Sequence, residues 1–305
     1  MPSTVSPEAQ EWLASLPGKR PGPDSLAGIR AATDEWRRKD SAEARGIYPV
    51  NVEEANIAGV RTDIITPLTT PEPNRNRVLI NLHGGGFISD SGSLIEGIPI
   101  ANLTKTKVVS VYYRLAPENS FPAAVDDVVA VYRELLKSYK PGSIGIFGTS
   151  AGAILTCEVA VRLKRLGFPL PGALGAFSVH ADFSRPSDSR AFFTLDGLPG
   201  RLGVPDPNHP PTDPYPGSVD RRDPVLSPIF ADLRGMPPCL LVTSTRDLLL
   251  SDTALFHLAL LRAGNDAQLV VFEALPHAFW YQFQLPETKE ALKLMAEFFD
   301  KRVGR

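Results

Sequence analysis

The most constraining stretch of the chain is the pentapeptide Gly-Thr-Ser-Ala-Gly at residues 148–152, because it joins a strand to a helix with almost no connecting residues. Residues 143–147 before it are short, apolar and compatible with a β-strand, and residues 153–161 after it are apolar at helical spacing. So tight a bend needs small residues on both sides, which the two glycines provide. We therefore predict a strand–turn–helix unit with Ser150 at its apex, in a strained backbone conformation and with its hydroxyl held above the sheet.

Length, charge and hydropathy limit the classes of protein to consider. The chain has 305 residues, 43% of them hydrophobic, which suits one large α/β domain or two small ones. Its formal net charge is −2 and no run of lysines or arginines occurs, so nucleic acid is not an expected partner. No stretch approaches the roughly 20 consecutive apolar residues of a membrane span. Residues 1–11 lack the basic start and apolar segment of a signal peptide, so we expect a cytoplasmic protein.

Cysteines and histidines show no pattern typical of a metal site. Cys157 and Cys239 each lie within an apolar run, and we expect both to be buried free thiols. The five histidines are scattered along the chain without metal-ligand spacing. We predict neither a metal nor a cofactor.

Two segments differ in pattern from the rest and are predicted to form a cap. Residues 1–45 indicate two helices, the first beginning at Ser6 and the second capped by Asp24 or Ser25. Between residues 183 and 226 the regular pattern is lost in a stretch rich in Pro, Asp and Gly, and a loop of that length is either disordered or functional. Aromatic residues near its start favour a packed cap. His180 and His209, at the edges of this stretch, are interpreted as structural or surface histidines.

Residues 46–182 and 227–305 carry the alternating strands and helices of the predicted core. Strand, helix, strand and helix follow one another between residues 78 and 167, which is the order of a mainly parallel sheet. We predict an α/β fold with a mostly parallel twisted sheet and helices on both faces. Further strands are predicted at 173–179, 239–244 and 267–272, and a closing helix at 286–302.

A glycine triplet follows the predicted strand 77–82, in the sequence His83, Gly84, Gly85, Gly86 and Phe87. One interpretation is a flexible loop. The other is that bare backbone lets N–H groups approach a ligand atom without interference from a Cβ, so that they can stabilise an oxyanion. A glycine triplet of this kind and the strained serine turn are the two halves of the oxyanion site of many esterases. We therefore predict that the amides of Gly85, Gly86 and Ala151 form such a site.

An acid and a histidine follow the last two predicted strands. Asp247 lies just beyond a strand, on the edge where open α/β sheets place their chemistry. Asp252 competes with it, but it immediately precedes a helical run and is interpreted as an N-cap. His277 follows Asp247 after 30 residues (277 − 247), enough for one helix and one strand.

Serine, acid and histidine in this chain order form the catalytic set of one large class of hydrolases. A free serine hydroxyl is a weak nucleophile, so His277 must accept the proton of Ser150 during attack and then protonate the leaving group. Asp247 must hold the imidazole in the required tautomer and stabilise its charged form. These three residues are therefore the predicted catalytic residues.

These motifs together resemble the hormone-sensitive-lipase-type esterases of the α/β-hydrolase superfamily. The resemblance covers about residues 77–280 and rests on His83 to Gly86, Tyr113 to Glu118, Phe121 to Ala124, the pentapeptide at 148–152, Ser227-Pro228, Asp247 and Pro276-His277. It implies hydrolysis of small carboxylic esters through an acyl-serine, without a cofactor. It also implies a cap over the acyl pocket and a preference for short or medium acyl chains.

The chain departs from these esterases at two places. Thr149 stands where many of them have aspartate, which leaves the mechanism intact but alters the contacts around the serine. The usual Asp-Pro-Leu pattern is missing around Asp247. A lactonase or an amidase could use the same three residues, and a non-catalytic small-molecule receptor could use the same fold. The oligomeric state is left open, with a homodimer as one option.

The sequence does not identify the substrate. Five aromatic residues could line the acyl pocket, although each could equally pack in the core. These residues are Phe87, Phe192, Phe193, Phe279 and Trp280.

Overall fold

The computed structural model describes residues 2–16, 25–192 and 213–304. Within these ranges the chain forms a single sheet of eight strands, in the order β1-β2-β4-β3-β5-β6-β7-β8. The strands are β1 (Val50–Ile57), β2 (Val60–Pro67), β3 (Val78–Leu82), β4 (Lys107–Val111), β5 (Ile144–Thr149), β6 (Ala173–Phe177), β7 (Cys239–Arg246) and β8 (Ala267–Pro276).

Most of the sheet is parallel, as the sequence predicts. β1 and β2 form an antiparallel hairpin, and β2 pairs antiparallel with β4. All pairs from β4 onward are parallel, so the carboxyl ends of β3 to β8 meet at one edge of the sheet. Strands buried on both faces are apolar at nearly every position, and β3, with all five residues buried, has this form.

Helices cover both faces of the sheet, which confirms the predicted fold class. They are α1 (Pro7–Ser15), α2 (Leu26–Ile47), α3 (Ser93–Thr104), α4 (Ala123–Leu135), α5 (Ala151–Arg165), α6 (Asp188–Phe192), α7 (Leu250–Arg262) and α8 (Pro286–Arg302). Apolar residues of α4, α5 and α7 pack in one core cluster. Apolar residues of α1, α3 and α8 pack in a second cluster.

Local capping explains where the first two helices begin. The Ser6 hydroxyl accepts a hydrogen bond from the amide of Ala9, and Pro7 occupies the first position of α1. The Ser25 hydroxyl caps α2 through the amide of Gly28, whereas Asp24 lies outside the described residues. Cys157 and Cys239 are buried and free, as predicted, and burial raises the pKa of Cys239 to about 12. In the described ranges, no helix combines the length and apolar character needed to cross a bilayer.

Candidate active site

Ser150 occupies the turn between β5 and α5. Its φ of 58° and ψ of −119° lie in a region that residues with a side chain rarely adopt, so the turn is strained. The Ser150 amide donates a hydrogen bond of 2.9 Å to the carbonyl of Phe177, at the end of the neighbouring strand β6. This bond holds the strained residue at the edge of the sheet where the parallel strands end.

The two glycines of the turn are required by its close packing against β3. A Cβ added to Gly148 would lie 2.1 Å from the carbonyl oxygen of Leu82, and one added to Gly152 would lie 1.8 Å from the same atom. Neither distance is compatible with a side chain. The backbone of β3 therefore lies directly against the serine turn, which brings the loop that follows β3 beside Ser150.

Asp247 and His277 are in direct contact. Asp247 follows β7, His277 follows β8, and the His277 Nδ1 atom lies 2.8 Å from Asp247 Oδ1. Asp247 is fully buried, and His277 is partly exposed. The Ser150 hydroxyl makes no hydrogen bond to the described residues. The structure thus joins the predicted acid to the predicted base and places both at the sheet edge that carries Ser150.

Three further groups hold the Asp247 carboxylate. The Ser178 hydroxyl donates a short hydrogen bond to Oδ2, the Thr243 hydroxyl donates one of 3.0 Å to the same atom, and the Leu249 amide donates one of 2.9 Å to Oδ1. Burial acts to raise the pKa of Asp247, but His277 and the hydrogen bonds outweigh it and hold this pKa below its usual value. Ser178 is a contact that the sequence prediction missed. A small polar residue after the buried strand β6 is the signal that could have identified it.

The competing acid, Asp252, serves a different histidine. Its Oδ1 atom lies 2.9 Å from His180 Nδ1, and its Oδ2 atom accepts a hydrogen bond of 2.7 Å from Ser187. The prediction that Asp252 caps a helix is wrong, because α7 begins at Leu250 and Asp252 lies in its first turn. The interpretation of His180 as structural agrees with this buried pair, and His209 lies outside the described residues.

The glycine loop after β3 has the conformation that only glycine adopts readily. Gly85 has a φ of 113° and Gly86 a φ of 61°. A Cβ on Gly85 would lie 2.1 Å from the carbonyl oxygen of Ser89, and one on Gly84 would lie 3.5 Å from Ser150 Cβ. Within the described ranges, the amides of Gly85, Gly86 and Ala151 donate no hydrogen bond. These three donors are therefore available to a ligand atom beside the serine.

Aromatic contacts fix the base of the glycine loop. The ring of His83 is fully buried and stacks on Tyr113 at 4.1 Å between ring centroids, and the Tyr113 hydroxyl donates a 2.6 Å hydrogen bond to the His83 carbonyl oxygen. Asp90, at the far end of the loop, accepts hydrogen bonds from the backbone of Gly92 and Ser93. The loop is thereby anchored at both ends.

Phe87 is held by a second aromatic contact that the sequence did not predict. Its ring stacks on Tyr215 with 3.4 Å between centroids and 4° between planes. The Tyr215 hydroxyl donates a 2.5 Å hydrogen bond to Glu158 on α5, a carboxyl whose burial raises its pKa well above the usual range. Phe87 is 2% exposed. The structure therefore corrects the pocket prediction for Phe87, whose ring is covered by the segment that includes Tyr215.

Phe279 and Trp280 also differ from the predicted pocket. Both are 1% exposed and belong to the second core cluster, because the turn after His277 directs them under the edge of the sheet. Phe192 is the last residue of α6, and its side chain lies outside the described part of the structure. Phe193 lies outside the described residues.

The arrangement has the parts needed for acyl transfer. Ser150 provides a hydroxyl, His277 a base that Asp247 orients, and the glycine loop free amides that can bind a developing negative charge. Hydrogen bonds between nucleophile and base are often long before a substrate binds, so an unbonded serine is compatible with this chemistry. Among the described residues, no group of three or more His, Cys, Asp or Glu side chains could hold a metal ion.

Comparison with known proteins agrees with the fold. Residues 79–281 match a family described as having the alpha/beta hydrolase fold. An acetyl-hydrolase from Streptomyces hygroscopicus is 32% identical over 282 residues, covering 88% of this chain and 92% of that protein. The crystal structure of esterase E25 has a TM-score of 0.83 at 32% identity and covers 99% of this chain and 96% of its own. The structure of an esterase from the bacterial hormone-sensitive lipase family has a TM-score of 0.76 at 31% identity, with 94% and 99% covered.

Proposed function

This chain belongs to the alpha/beta hydrolase fold family and is a carboxylic ester hydrolase of the hormone-sensitive-lipase type, and we propose that Ser150, His277 and Asp247 catalyse its reaction. The observation that carries the proposal is the 2.8 Å contact between His277 and Asp247, formed at the same sheet edge as the strained Ser150.

In the acylation step, Ser150 Oγ attacks the ester carbonyl carbon while His277 Nε2 takes the serine proton. Asp247 accepts the hydrogen bond of Nδ1–H, which leaves Nε2 as the unprotonated nitrogen that can accept the serine proton. The tetrahedral intermediate then collapses, and His277 gives its proton to the departing alkoxide. The products of this step are an alcohol and an acyl-serine.

In the deacylation step, water takes the place of the serine hydroxyl. His277 accepts a proton from water as its oxygen attacks the acyl carbon, and then returns this proton to Ser150 Oγ. The carboxylic acid leaves and the enzyme is restored. Because the charge on His277 rises in both steps, the ionised Asp247 stabilises both transition states.

The amides of Gly85, Gly86 and Ala151 serve as the oxyanion site in this proposal. Two observations support the assignment: the amides are free of other hydrogen bonds in the described chain, and Gly84 approaches Ser150 closely. Donors of this kind act mainly on the transition state, because the negative charge develops only there.

Replacing Gly85 by alanine is expected to lower kcat by about 10²- to 10³-fold, the effect of losing one oxyanion donor. The new Cβ would lie 2.1 Å from the Ser89 carbonyl oxygen, so the loop and its amides must move. Steady-state kinetics with p-nitrophenyl acetate measures the effect. Gly59→Ala is the matched control, since Gly59 also has a positive φ of 86° but lies in the β1–β2 turn with open space around it. Equal kcat in the two variants would contradict the assignment.

We also propose that the substrates are esters of short or medium acyl chains. The support is the resemblance described above together with the acetyl-hydrolase relative, whose name specifies an acetyl group. A lactone or an amide would pass through the same acyl-serine, so the leaving group has to be determined by experiment. A homodimer and a cytoplasmic location stay predictions from the sequence.

A series of p-nitrophenyl esters is expected to give the highest kcat/KM between acetyl and octanoyl and a much lower value for palmitoyl. The reason is the resemblance to esterases of short and medium acyl chains together with the acetyl-hydrolase relative. The same assay with lactones and anilides of equal acyl length separates the three classes of leaving group. Highest activity on palmitoyl esters would contradict the proposed acyl preference without affecting the catalytic residues.

The described parts of residues 1–45 and of the segment 183–226 are proposed to form the cap, while residues 17–24 and 193–212 lie outside the described residues. Arg30 of α2 supports this, since its guanidinium donates hydrogen bonds of 2.8 Å to the Ile88 carbonyl oxygen and 3.1 Å to the Ala116 carbonyl oxygen. These carbonyls flank the glycine loop. Tyr215 provides the corresponding contact from the second segment.

A further inference from the structure

A buried hydrogen bond joins the loop that carries the proposed base to the turn that carries the proposed nucleophile. The indole Nε1–H of Trp280 donates a 3.0 Å hydrogen bond to the Thr149 hydroxyl oxygen. Trp280 and Thr149 are each 1% exposed, so no solvent competes for the bond. It links residues that are 131 positions apart in the sequence.

The two partners are close in the chain to the reacting groups. Thr149 directly precedes Ser150, and Trp280 follows His277 by three residues (280 − 277). The bond therefore spans the two segments whose separation sets the distance from Ser150 Oγ to the His277 imidazole. Reacting groups must be aligned closely for efficient attack, and a displacement of about 1 Å can cost about 10²-fold in rate.

Packing around the indole strengthens this link. The Trp280 ring meets Phe177 edge to face, with 6.2 Å between centroids. The carbonyl of Phe177 is the acceptor for the Ser150 amide. The indole thus contacts both the residue before the serine and the residue that holds the serine's backbone.

The loop after His277 is also held by hydrogen bonds to residues of α3 and α8. The Tyr281 hydroxyl donates a short hydrogen bond to Glu96 on α3, and Glu96 accepts a 3.1 Å hydrogen bond from Asn81 on β3. The Thr288 hydroxyl donates a 3.1 Å hydrogen bond to the Phe279 carbonyl oxygen. With these contacts in place, the position of Trp280 is fixed relative to the sheet.

Filling the core does not by itself require an indole N–H at this place. A buried N–H has to find an acceptor, and here the acceptor is the side chain next to the nucleophile rather than a distant backbone carbonyl. We propose that Trp280 is a positioning residue, whose hydrogen bond to Thr149 sets the position of Ser150 relative to His277. This inference rests on the proposed function, because it assumes that these two residues react together.

Trp280→Phe, which keeps an aromatic ring but removes the N–H, is expected to lower kcat for p-nitrophenyl acetate about 10-fold or more with KM nearly unchanged. Thr149→Val, which removes the acceptor at equal size, should give a similar loss. Thr149→Ser, which keeps the acceptor, should restore most of the activity. The double variant with phenylalanine and valine should lose no more than Thr149→Val alone, because the valine already removes the acceptor of the indole bond as well as the hydrogen bond of the Thr149 hydroxyl to Glu96.

Tyr132→Phe is the matched control. The Tyr132 side chain is buried in α4, and its hydroxyl donates a 2.9 Å hydrogen bond to the Pro169 carbonyl oxygen, away from the site. Both substitutions remove one hydrogen bond of a buried aromatic residue, and we expect both to lower the melting temperature. Only Trp280→Phe should lower kcat when measured well below that temperature.

Three results would overturn the inference: unchanged kcat in Trp280→Phe, equal kcat in Thr149→Ser and Thr149→Val, or additive losses in the double variant. If Trp280→Phe does not fold, the two Thr149 variants decide the matter alone. Ser150→Ala is measured in the same assay. If Ser150→Ala keeps its activity, the proposed function itself is contradicted. If Ser150→Ala loses activity and Trp280→Phe does not, only the positioning role is contradicted.

Discussion

Replacing Ser150 by alanine is expected to lower kcat for p-nitrophenyl acetate by about 10⁵- to 10⁶-fold, as the removal of a nucleophilic serine does in other hydrolases of this mechanism. Without the Ser150 hydroxyl, His277 can at best activate water. The residual rate should come from the oxyanion donors and substrate binding alone. Stopped-flow and long-time absorbance at the p-nitrophenolate band together cover this range of rates.

The substitution should leave the fold intact. Alanine keeps the Cβ of serine, so the positive φ of residue 150 costs the same in both proteins. Ser143→Ala is the matched control, because Ser143 lies just before β5, at the opposite end of the same strand. A fluorophosphonate should add one equivalent to the wild type and to the control, and none to Ser150→Ala. Labelling of Ser150→Ala at another serine, with activity retained, would show that the nucleophile lies elsewhere.

The sequence was sufficient to predict the parts of the site that depend on local backbone geometry. The turn at residues 148–152 needs glycines because β3 lies against it, and this steric requirement is visible as the pattern of two glycines around a serine. The order of strands and helices likewise predicts that Asp247 and His277 follow neighbouring strands. Parallel strands bring their carboxyl ends to one edge, so the meeting of these residues follows from topology.

The sequence could not predict contacts that depend on side-chain packing between distant segments. Phe279 and Trp280 follow His277, and an aromatic pair beside the proposed base is compatible with either a pocket wall or a core. The choice depends on the direction of the turn after β8, which places both rings in the second core cluster. The stacking of Phe87 on Tyr215 joins segments 128 residues apart (215 − 87), and no local pattern encodes it.

The N-cap prediction for Asp252 was wrong because the helix begins earlier than the sequence pattern indicates. An acid just before a helical run is a common N-cap, but here α7 begins two residues earlier, at Leu250. The carboxylate is used instead by His180, which precedes the segment 183–226. The two acids near the end of β7 therefore each contact one histidine, and the two Nδ1–Oδ1 distances are nearly the same. This similarity allows a direct comparison between them.

Replacing Asp247 by asparagine is expected to lower kcat by about 10⁴-fold, because an amide that donates to Nδ1 favours the wrong tautomer of the histidine and cannot stabilise its charged form. The effect should fall on kcat with little change in KM, since Asp247 is fully buried and does not reach the substrate. The matched control is Asp252→Asn. It breaks a buried pair with a histidine at 2.9 Å, against 2.8 Å for Asp247, but in a pair that does not serve Ser150.

The pH dependence of the stability of wild type and of Asp247→Asn provides an independent check on the role of Asp247. Because the folded-state pKa of Asp247 lies below that of the unfolded chain, its ionised form stabilises the native state. This contribution is complete above the unfolded pKa of about 4 and is lost as the pH falls through the lower, folded pKa. The difference in the free energy of unfolding between wild type and Asp247→Asn, measured by urea titration, should therefore shrink as the pH is lowered below about 4.

The comparison of the two asparagine variants decides which acid serves the reaction. If Asp247 orients the catalytic imidazole, Asp247→Asn loses kcat while Asp252→Asn loses only stability, because His180 and Asp252 form a structural pair. The opposite result would mean that the base is oriented by the second pair and that the contact between His277 and Asp247 is structural. Equal and small losses of kcat in both asparagine variants would remove the physical reason for assigning His277 as the base. An imidazole that no acid orients cannot present Nε2 to the serine.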